Sequence, residues 1–518
     1  MINLTTLDDY DAAIAAYSSD ALWALFDGDR THLNLAHECI DRHRARGIAV
    51  SVKFADGALE HYTFAELADR SSQFAHWLRR QGIAPGTRIA LVLEPGRAFY
   101  SCLFGAIKAG AIAVPLFTLF GPDGLALRIS DCAPALIITG DASPLGAQFA
   151  GLTVVAADDT FWQALSREST VFVPQTRADD LAVFQYTSGT TRELPEAVKH
   201  TQRAVVTVMT AALYGVGLRP DDRYFCPSSP AWGHGLWHGT ISALALGIHI
   251  GAYAGKFQPR RVFEALHELK IDNFAAAATV YRMLRNSGLA PHYPLTLRKC
   301  SFTGEPLDAD TFDWIEQTFG VAPASMYGTT EVGVIALDFP GLRGHRIKRG
   351  ALGRAAPGNE VAILDAAGAP VAANIIGEIA VKRRGTWFRV KDFGRRDEDG
   401  YFFHAGRADD VIISAGWTMS AVEIENVLLT HPAIAEAAVI GVADALRGQI
   451  VKAYLVLRAG FALASADVQA YMKTRLAQHE YPRAVEFIAE LPKTPAGKVN
   501  RKALRDIARA ANEGKSTS

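Results

Sequence analysis

The chain has 518 residues, with 53 Lys+Arg against 54 Asp+Glu, a formal net charge of −1, 49% hydrophobic and 21% charged residues. This is an ordinary globular balance with material for about two to four domains, and its neutrality argues against a nucleic-acid binder that works by bulk counterion release. The most apolar stretch, 103–119, is broken by Lys108 and Pro115, the first residues carry acids where a signal peptide carries bases, and the five scattered cysteines make no metal or disulfide spacing. A reduced, soluble, cytoplasmic protein with no membrane and no nucleic-acid partner is expected.

Periodicity in chain order predicts alternating helices and strands. Residues 63–82 read as a helix: Thr63 and Glu66 form a capping-box pattern, Phe64, Leu67, Ser71, Phe74 and Leu78 share one stripe, and Gly82 suits a left-handed end. A buried strand follows at 89–93, then helix 97–109, strand 112–115, helix 124–130 and strand 136–139. Helix 259–269, strand 273–277, strand 299–303 and helix 310–319 continue the pattern. Such alternation implies βαβ units and parallel sheets covered on both faces. Near 350–400 the texture changes to short β-rich runs, 360–365 and 377–383, which predict a small antiparallel barrel or sheet. Strand 411–414, helix 421–429 behind Ser420, strand 451–457 and helices 467–478 and 502–511 follow. The fold class is therefore α/β: a large N-terminal domain, 1–408, of βαβ subdomains with a small β-barrel-like subdomain, and a smaller α+β C-terminal domain, 409–518.

Four segments carry candidate chemistry. Tyr186, Thr187, Ser188, Gly189, Thr190 and Thr191 follow a predicted strand, and small hydroxyl residues around a glycine either wrap phosphate oxygens or make a plain polar turn. The pattern is not GxxxxGK[ST], so a P-loop NTPase is not indicated. In the run Tyr327, Gly328, Thr329, Thr330, Glu331, an aromatic beside glycine has room to lie on a purine, Thr330 can bond phosphate, and Glu331 offers a hard oxygen to Mg²⁺. The alternative is a strand end leading into a helix, with Glu331 in its first turn. Asp392, ahead of the Gly-Tyr-Phe-Phe-His-Ala-Gly-Arg-Ala-Asp-Asp run at 400–410, is suited to grip both hydroxyls of a ribose, and Arg407 to assist it or meet phosphate; a solvated surface turn is the alternative. Lys498 lies on a loop with Pro492, Pro495 and Gly497, in a terminal stretch, 491–518, with seven bases and two acids.

The order and separation of these segments, over nearly the whole chain, resemble the adenylate-forming superfamily of acyl-CoA synthetases, luciferases and peptide-synthetase adenylation domains. The Ser-Phe-Thr-Gly-Glu-Pro-Leu loop at 301–307 looks like that family's adenine-side loop, and Gly353, Pro357, Gly358, Gly377 and Glu378 fit as well. The resemblance implies that a carboxylate attacks the α-phosphate of ATP to give an acyl-adenylate and pyrophosphate, after which a thiol displaces AMP. By residue-to-residue matching, Thr187 to Thr191 would hold the phosphates, Thr330 the α-phosphate and Glu331 Mg²⁺. Tyr327, with Gly328 and Thr329 beside it, would stack on adenine against Gly304, Glu305 and Pro306. Asp392 and Arg407 would bind ribose, and Lys498 would meet both the carboxylate and the α-phosphate. Asp409 matches the family's hinge, and Gly416 would line the pantetheine channel for CoA. The Pro-Ala-Trp-Gly-His-Gly-Leu-Trp-His segment at 230–238 resembles a stretch bordering the acyl pocket, with Trp232 at an aromatic gate; His234 either lines the pocket or is polar filler. ATP, Mg²⁺, CoA and a small carboxylate are the implied ligands. Family members are often acetylated at the position of Lys498, which adds a lysine acetyltransferase as an implied partner.

Two departures stand out. The family's phosphate loop reads on as Gly-any-Pro-Lys-Gly; here residues 192–197 are Arg-Glu-Leu-Pro-Glu-Ala, one residue longer, with Glu196 where lysine is expected. Arg192 or Lys199 would then supply the missing charge. The Thr-Gly pair before the ribose aspartate is replaced by Val390 and Lys391. The stretch 446–453 and the short N-terminal region look more like acyl-CoA synthetases than adenylation domains, and the aromatic Trp232 region points to a medium-chain, alicyclic or aromatic acid, so the resemblance is to a CoA ligase of the medium-chain acyl or aryl type. A stand-alone acyl-adenylate ligase serving a separate carrier protein, and a non-catalytic ligand-binding homologue, are the competing readings.

Overall fold

The structure is a computed structural model that describes residues 3–186, 196–329, 332–407, 412–414, 417–444, 448–475, 481–493 and 499–516. It resolves into two compact units, one of residues 1–326, 337–347 and 356–358, the other of residues 327–336, 348–355 and 359–518.

Local chemistry in the first unit follows the sequence closely. Helix Phe64–Arg80 starts at a complete capping box: the Glu66 N–H donates to Thr63 Oγ1 at 3.1 Å, and the Glu66 carboxylate accepts from the Thr63 N–H at 2.8 Å. The stripe Phe64, Leu67, Ser71, Phe74 and Leu78 is buried as a face. A six-stranded sheet has the order Thr153–Ala156, Leu136–Thr139, Arg88–Val92, Ile112–Leu116, Leu181–Gln185, Val198–Thr201. All its pairs are parallel except the last. A second, mostly parallel run comprises Lys299–Thr303, Asn273–Ala277, Tyr224–Phe225, Ile250–Ala254 and Ile48–Phe54, closed by antiparallel Leu59–Thr63. Its core gathers Phe225, Phe263, Phe274, Tyr281 and Phe319, all fully buried. Strand Ala324–Thr329 pairs in parallel with Lys299–Thr303 through Ala324 and Ser325, so the loop at 304 leaves the carboxyl end of a parallel strand, the usual position for ligands in such sheets.

In the second unit the β-rich region is larger than the two runs legible in the sequence. The strand order is Val361–Leu364, Gly377–Arg383, Thr386–Arg396, Phe402–Arg407, Ala351–Ala355, Gly333–Leu337, with antiparallel pairing from the first to the fifth. The 11-residue strand Thr386–Arg396 escapes the sequence reading because Trp387 and Phe388 stand side by side and break the period of two. Residues 402–407 form a strand, not the surface turn held open as an alternative. Strand Ala324–Thr329 is followed at 333 by another strand, not by a helix. A three-stranded sheet, Ile434–Asp444, Gly448–Leu457, Ala484–Phe487, packs helices Ala421–Leu429 and Ser465–Lys473 over Ile424, Leu428, Val439, Leu455 and Met472. The second of these helices ends at Lys473, short of the expected 478; residue 478 lies outside the described residues. Among the described residues, no helix is long and apolar enough to cross a membrane.

Candidate active site

The phosphate-loop candidates Thr187, Ser188, Gly189, Thr190 and Thr191 lie outside the described residues, but both ends of their loop are placed. The chain leaves the sheet after Gln185 and returns at Val198. One carboxylate, Asp131, joins the two ends: its Oδ2 accepts from the Tyr186 hydroxyl at 2.6 Å and from the Ala197 N–H at 3.2 Å. Burial, with Asp131 as the next cause, holds the Tyr186 phenol far above its usual range, so it stays a donor. Beside this staple is a cavity of about 360 Å³ lined by Arg88, Asp131, Phe184, Glu196 and Lys199 among others. The Lys199 ammonium sits 5.5 Å over the Phe184 ring, so one of the two candidate replacement cations shares a cavity with Glu196. Arg192 is outside the described residues.

On the adenine-side loop, Gly304 and Pro306 are exposed, while the Glu305 carboxylate is held by the Thr279 hydroxyl at 2.6 Å and by Arg282. Arg285 bonds Asp308 at 3.0 Å, and Asp308 caps helix Ala309–Phe319 by accepting from the Thr311 N–H at 2.9 Å. This network explains why the helix begins one residue before the expected start.

Tyr327, Asp392 and His404 come together from three strands. The Tyr327 hydroxyl donates to Asp392 Oδ2 at 2.6 Å, and His404 Nε2 lies 3.9 Å from the same oxygen. The Tyr327 and His404 rings are 6.2 Å apart between centroids. Asp392 is the direct cross-strand partner of Arg407, whose backbone alone is described. The two candidate ribose ligands are therefore neighbours by register. Lys391 before them takes φ +64°, a conformation that suits glycine, and its N–H donates to Glu378 Oε1 at 3.2 Å. At Gly328 a Cβ would stand 2.0 Å from the Gly333 carbonyl oxygen, so the tight return between the two strands needs glycine there. Thr329 Oγ1 and His404 Nδ1 are buried without a hydrogen-bond partner.

Thr330, Glu331, Asp409, Gly416 and Lys498 lie outside the described residues. The base of the Lys498 loop is nevertheless fixed: Lys493 and Val499 form an antiparallel bridge, the Asn500 N–H donates to the Pro492 carbonyl at 2.7 Å, and Arg501 pairs with buried Glu425 at 2.6 Å.

The 230–238 segment enters a π-helix, His234–Ile241. Trp232 packs against Phe117 at 5.8 Å and Phe120 at 6.5 Å. A Cβ at Gly235 would fall 2.2 Å from the Ser229 carbonyl oxygen, so only glycine lets the helix start this close to the preceding chain. His234 has one ring nitrogen satisfied and one not. Its Nδ1 is satisfied 3.0 Å from Ser228 Oγ, while its Nε2 is buried without a partner. Burial pushes His234 down to about 3 and His238 to about 4, so both rings are neutral. Trp237 donates to Gln185 Oε1 at 2.8 Å and stacks obliquely on His200 at 4.5 Å.

Comparison with known proteins settles the family. The AMP-binding enzyme family matches residues 40–387, and the AMP-binding enzyme C-terminal domain matches residues 423–498. The chain belongs to the AMP-binding enzyme family. Acetyl-coenzyme A synthetase of Bacillus subtilis is 30% identical to it over 523 aligned residues, covering 91% of this chain and 90% of the relative. Benzoate–CoA ligase of Thauera aromatica is 30% identical over 510, covering 91% and 95%. The crystal structure of a Brucella canis acyl-CoA synthetase matches with a TM-score of 0.75 at 31% identity, covering 98% of this chain and 100% of that one. At the level of the family, the chain is an AMP-forming carboxylate–CoA ligase that uses ATP and CoA.

Within this AMP-binding enzyme, several groups at the site carry no local sequence signal. Asp131 lies 55 residues before Tyr186, Arg282 lies 23 before Glu305, and Gln185 lies 52 before Trp237. His404 and His238 fall inside segments singled out by sequence, but nothing in their spacing distinguishes them from surface or filler residues.

Proposed function

We propose that the chain activates a compact carboxylic acid, of medium-chain, alicyclic or aromatic type, with ATP and transfers the acyl group to CoA. The carboxylate oxygen attacks the α-phosphorus, pyrophosphate leaves, and the acyl-adenylate forms. The thiol sulfur then attacks the acyl carbon, and AMP leaves with one oxygen from the acid. The observation that carries this reading is the register of the ribose pair, Asp392 opposite Arg407, with Tyr327 bonded to the same carboxylate.

In this reading Asp392 accepts from the ribose hydroxyls, and its hydrogen bond to Tyr327 fixes both groups before ATP arrives, reducing the ordering cost of binding. Glu305, held by Arg282 and Thr279, borders adenine with Gly304 and Pro306. Thr187, Ser188, Gly189, Thr190 and Thr191 hold the triphosphate on a loop whose ends Asp131 ties together, with Arg192 or Lys199 supplying the positive charge that Glu196 does not. Thr330 holds the α-phosphate, and Lys498 joins the acid to it; a fixed cation there acts by electrostatics and alignment.

Among the described residues no group of three His, Cys, Asp or Glu side chains could hold a metal ion. Mg²⁺ carried by the triphosphate keeps several waters and takes one or two carboxylates, and Glu331, outside the described residues, would supply one. When bound, the ion neutralises phosphate charge. Asp409 is the pivot on which residues 409–518 change from adenylation to thioester formation, and Gly416 leaves the pantetheine path open. Acetylation of Lys498 would remove the ammonium that adenylation uses and switch off that step alone.

A panel of carboxylates with pyrophosphate detection, run with and without CoA, tests the reading. The expected result is acid-dependent pyrophosphate release, with free AMP and thioester only when CoA is present. Adenylate formation with no thioester would assign the chain instead to loading a separate carrier protein.

A further inference from the structure

Four buried side-chain nitrogens around one helix have no hydrogen-bond partner: His234 Nε2, His238 Nδ1, Gln185 Nε2 and His200 Nε2. A buried donor or acceptor left unmade costs folding free energy, so a cluster of four around one element calls for an explanation. The element is the π-helix His234–Ile241, whose wide turn is closed by the Ser242 N–H to the Trp237 carbonyl and by Thr240 Oγ1 to the Gly235 carbonyl at 2.9 Å. Such turns concentrate at functional sites because they push side chains out of the regular helical register. Here His234 and His238 come one above the other, with ring centroids 6.0 Å apart. Trp237 carries the other pair, its indole N–H bonded to Gln185 Oε1 and its ring against His200. The Trp237 donor fixes the Gln185 amide with its oxygen inward, which leaves Nε2 as a pure donor.

We propose that His234 and His238 read a hydroxyl group on the acid being activated. The inference rests on the ligase reading and narrows its substrate class to a compact hydroxy acid. The chemistry selects a hydroxyl over other groups. His234 Nδ1 faces Ser228 Oγ at 3.0 Å, and either atom can be the donor. If the imidazole donates to Ser228, its Nε2 accepts; if it accepts, its Nε2 donates. A hydroxyl is both donor and acceptor and satisfies either tautomer. A second carboxylate is disfavoured, because both rings are neutral near pH 7 and offer it no charge. A plain alkyl or aryl acid would leave the His234 and His238 nitrogens unmade, and a site built for a hydrogen bond discriminates strongly against an analogue that lacks it.

The test uses pyrophosphate release by the full chain with matched acids: benzoate against its three monohydroxy isomers, and hexanoate against 3- and 6-hydroxyhexanoate. The expected result is that at least one hydroxy acid exceeds its parent by about tenfold or more in kcat/KM, and that His234→Leu and His238→Leu each pull that ratio towards one. The wild-type ratio needs no variant, so a misfolded mutant does not spoil the test. Parents used as well as or better than every hydroxy acid would overturn the inference and leave the ligase reading intact. A ratio unchanged in folded His234→Leu and His238→Leu would also overturn it, and would make the histidines structural. No pyrophosphate from any acid would overturn the ligase reading, and the inference with it.

Discussion

The carboxylates of the proposed nucleotide site and the ring nitrogens around helix His234–Ile241 differ in how far the protein itself satisfies them. The carboxylates proposed to meet the nucleotide are each already engaged, Asp392 by Tyr327 and, in the other unit, Glu305 by Thr279 and Arg282, although Thr329 Oγ1 and His404 Nδ1 stay without a partner. Around helix His234–Ile241, four nitrogens wait without partners. The difference follows the ligands. ATP is fixed for this family, so its receptors can be preorganised by the protein itself. The relatives are named for different acids, acetate and benzoate among them, and under the proposed reading the groups that recognise the acid are satisfied only when it arrives.

The largest expected effect belongs to the proposed adenylation lysine. Lys498→Ala should slow pyrophosphate release about 10²- to 10³-fold, while thioester formation from synthetic acyl-adenylate stays within a few-fold of wild type. Equal losses in both half-reactions would remove Lys498 from the adenylation step. Next, Asp392→Asn should break the preorganised side only. Loss of hydrogen bonds to a charged group is worth roughly 1.5–3 kcal/mol, so KM for ATP should rise about 10- to 150-fold with KM for the acid little changed. Parallel rises in both would mean that the two sides are not separable.

The histidines around the proposed acyl side should instead reveal themselves through pH. His234, His238 and His200 are pushed by burial to about 3, 4 and 4 from an ordinary 6.5. Below pH 6.5 the unfolded chain takes up protons that the folded chain refuses, so stability is full above 6.5 and falls as pH drops towards 4. The slope is at most about 1.4 kcal/mol per pH unit for each histidine. His43 and His249, also pushed down to about 4, add to it. Urea unfolding midpoints at pH 7.5, 6.0 and 5.0 should decline in that order, and His238→Asn should make the decline shallower; a flat series would show that the rings are not buried as neutral groups. The smallest effect belongs to Lys391→Gly. Releasing a left-handed lysine should stabilise the chain by about 0.5–1 kcal/mol, seen as a higher urea midpoint, provided Glu378 keeps the backbone N–H.

Sequence legibility divides along the same line. The Thr63 capping box, the strands at 136–139, 273–277, 299–303 and 377–383 and the helix at 421–429 were readable because propensity, capping and burial pattern agree there. Strand Thr386–Arg396 was not, because paired aromatics and a bulge near Phe393 interrupt its alternation. The register that sets Asp392 opposite Arg407 was invisible for the same reason, although both residues were singled out. Asp131 and Gln185 could not be found at all, since each acts on a partner more than fifty residues away and sits in an unremarkable local context. The departure at Lys391 was legible as a change of residue, but its meaning needed the positive φ.

The central claim is that the acid is activated as an adenylate before CoA enters, and isotope transfer tests it most directly. An acid that supports pyrophosphate release is labelled with ¹⁸O in its carboxylate and turned over with ATP and CoA, and the nucleotide product is weighed by mass spectrometry. One ¹⁸O atom in AMP for each thioester formed is the predicted result, because the carboxylate oxygen that attacks phosphorus leaves with it. Unlabelled AMP, or ADP in place of AMP, would contradict the account.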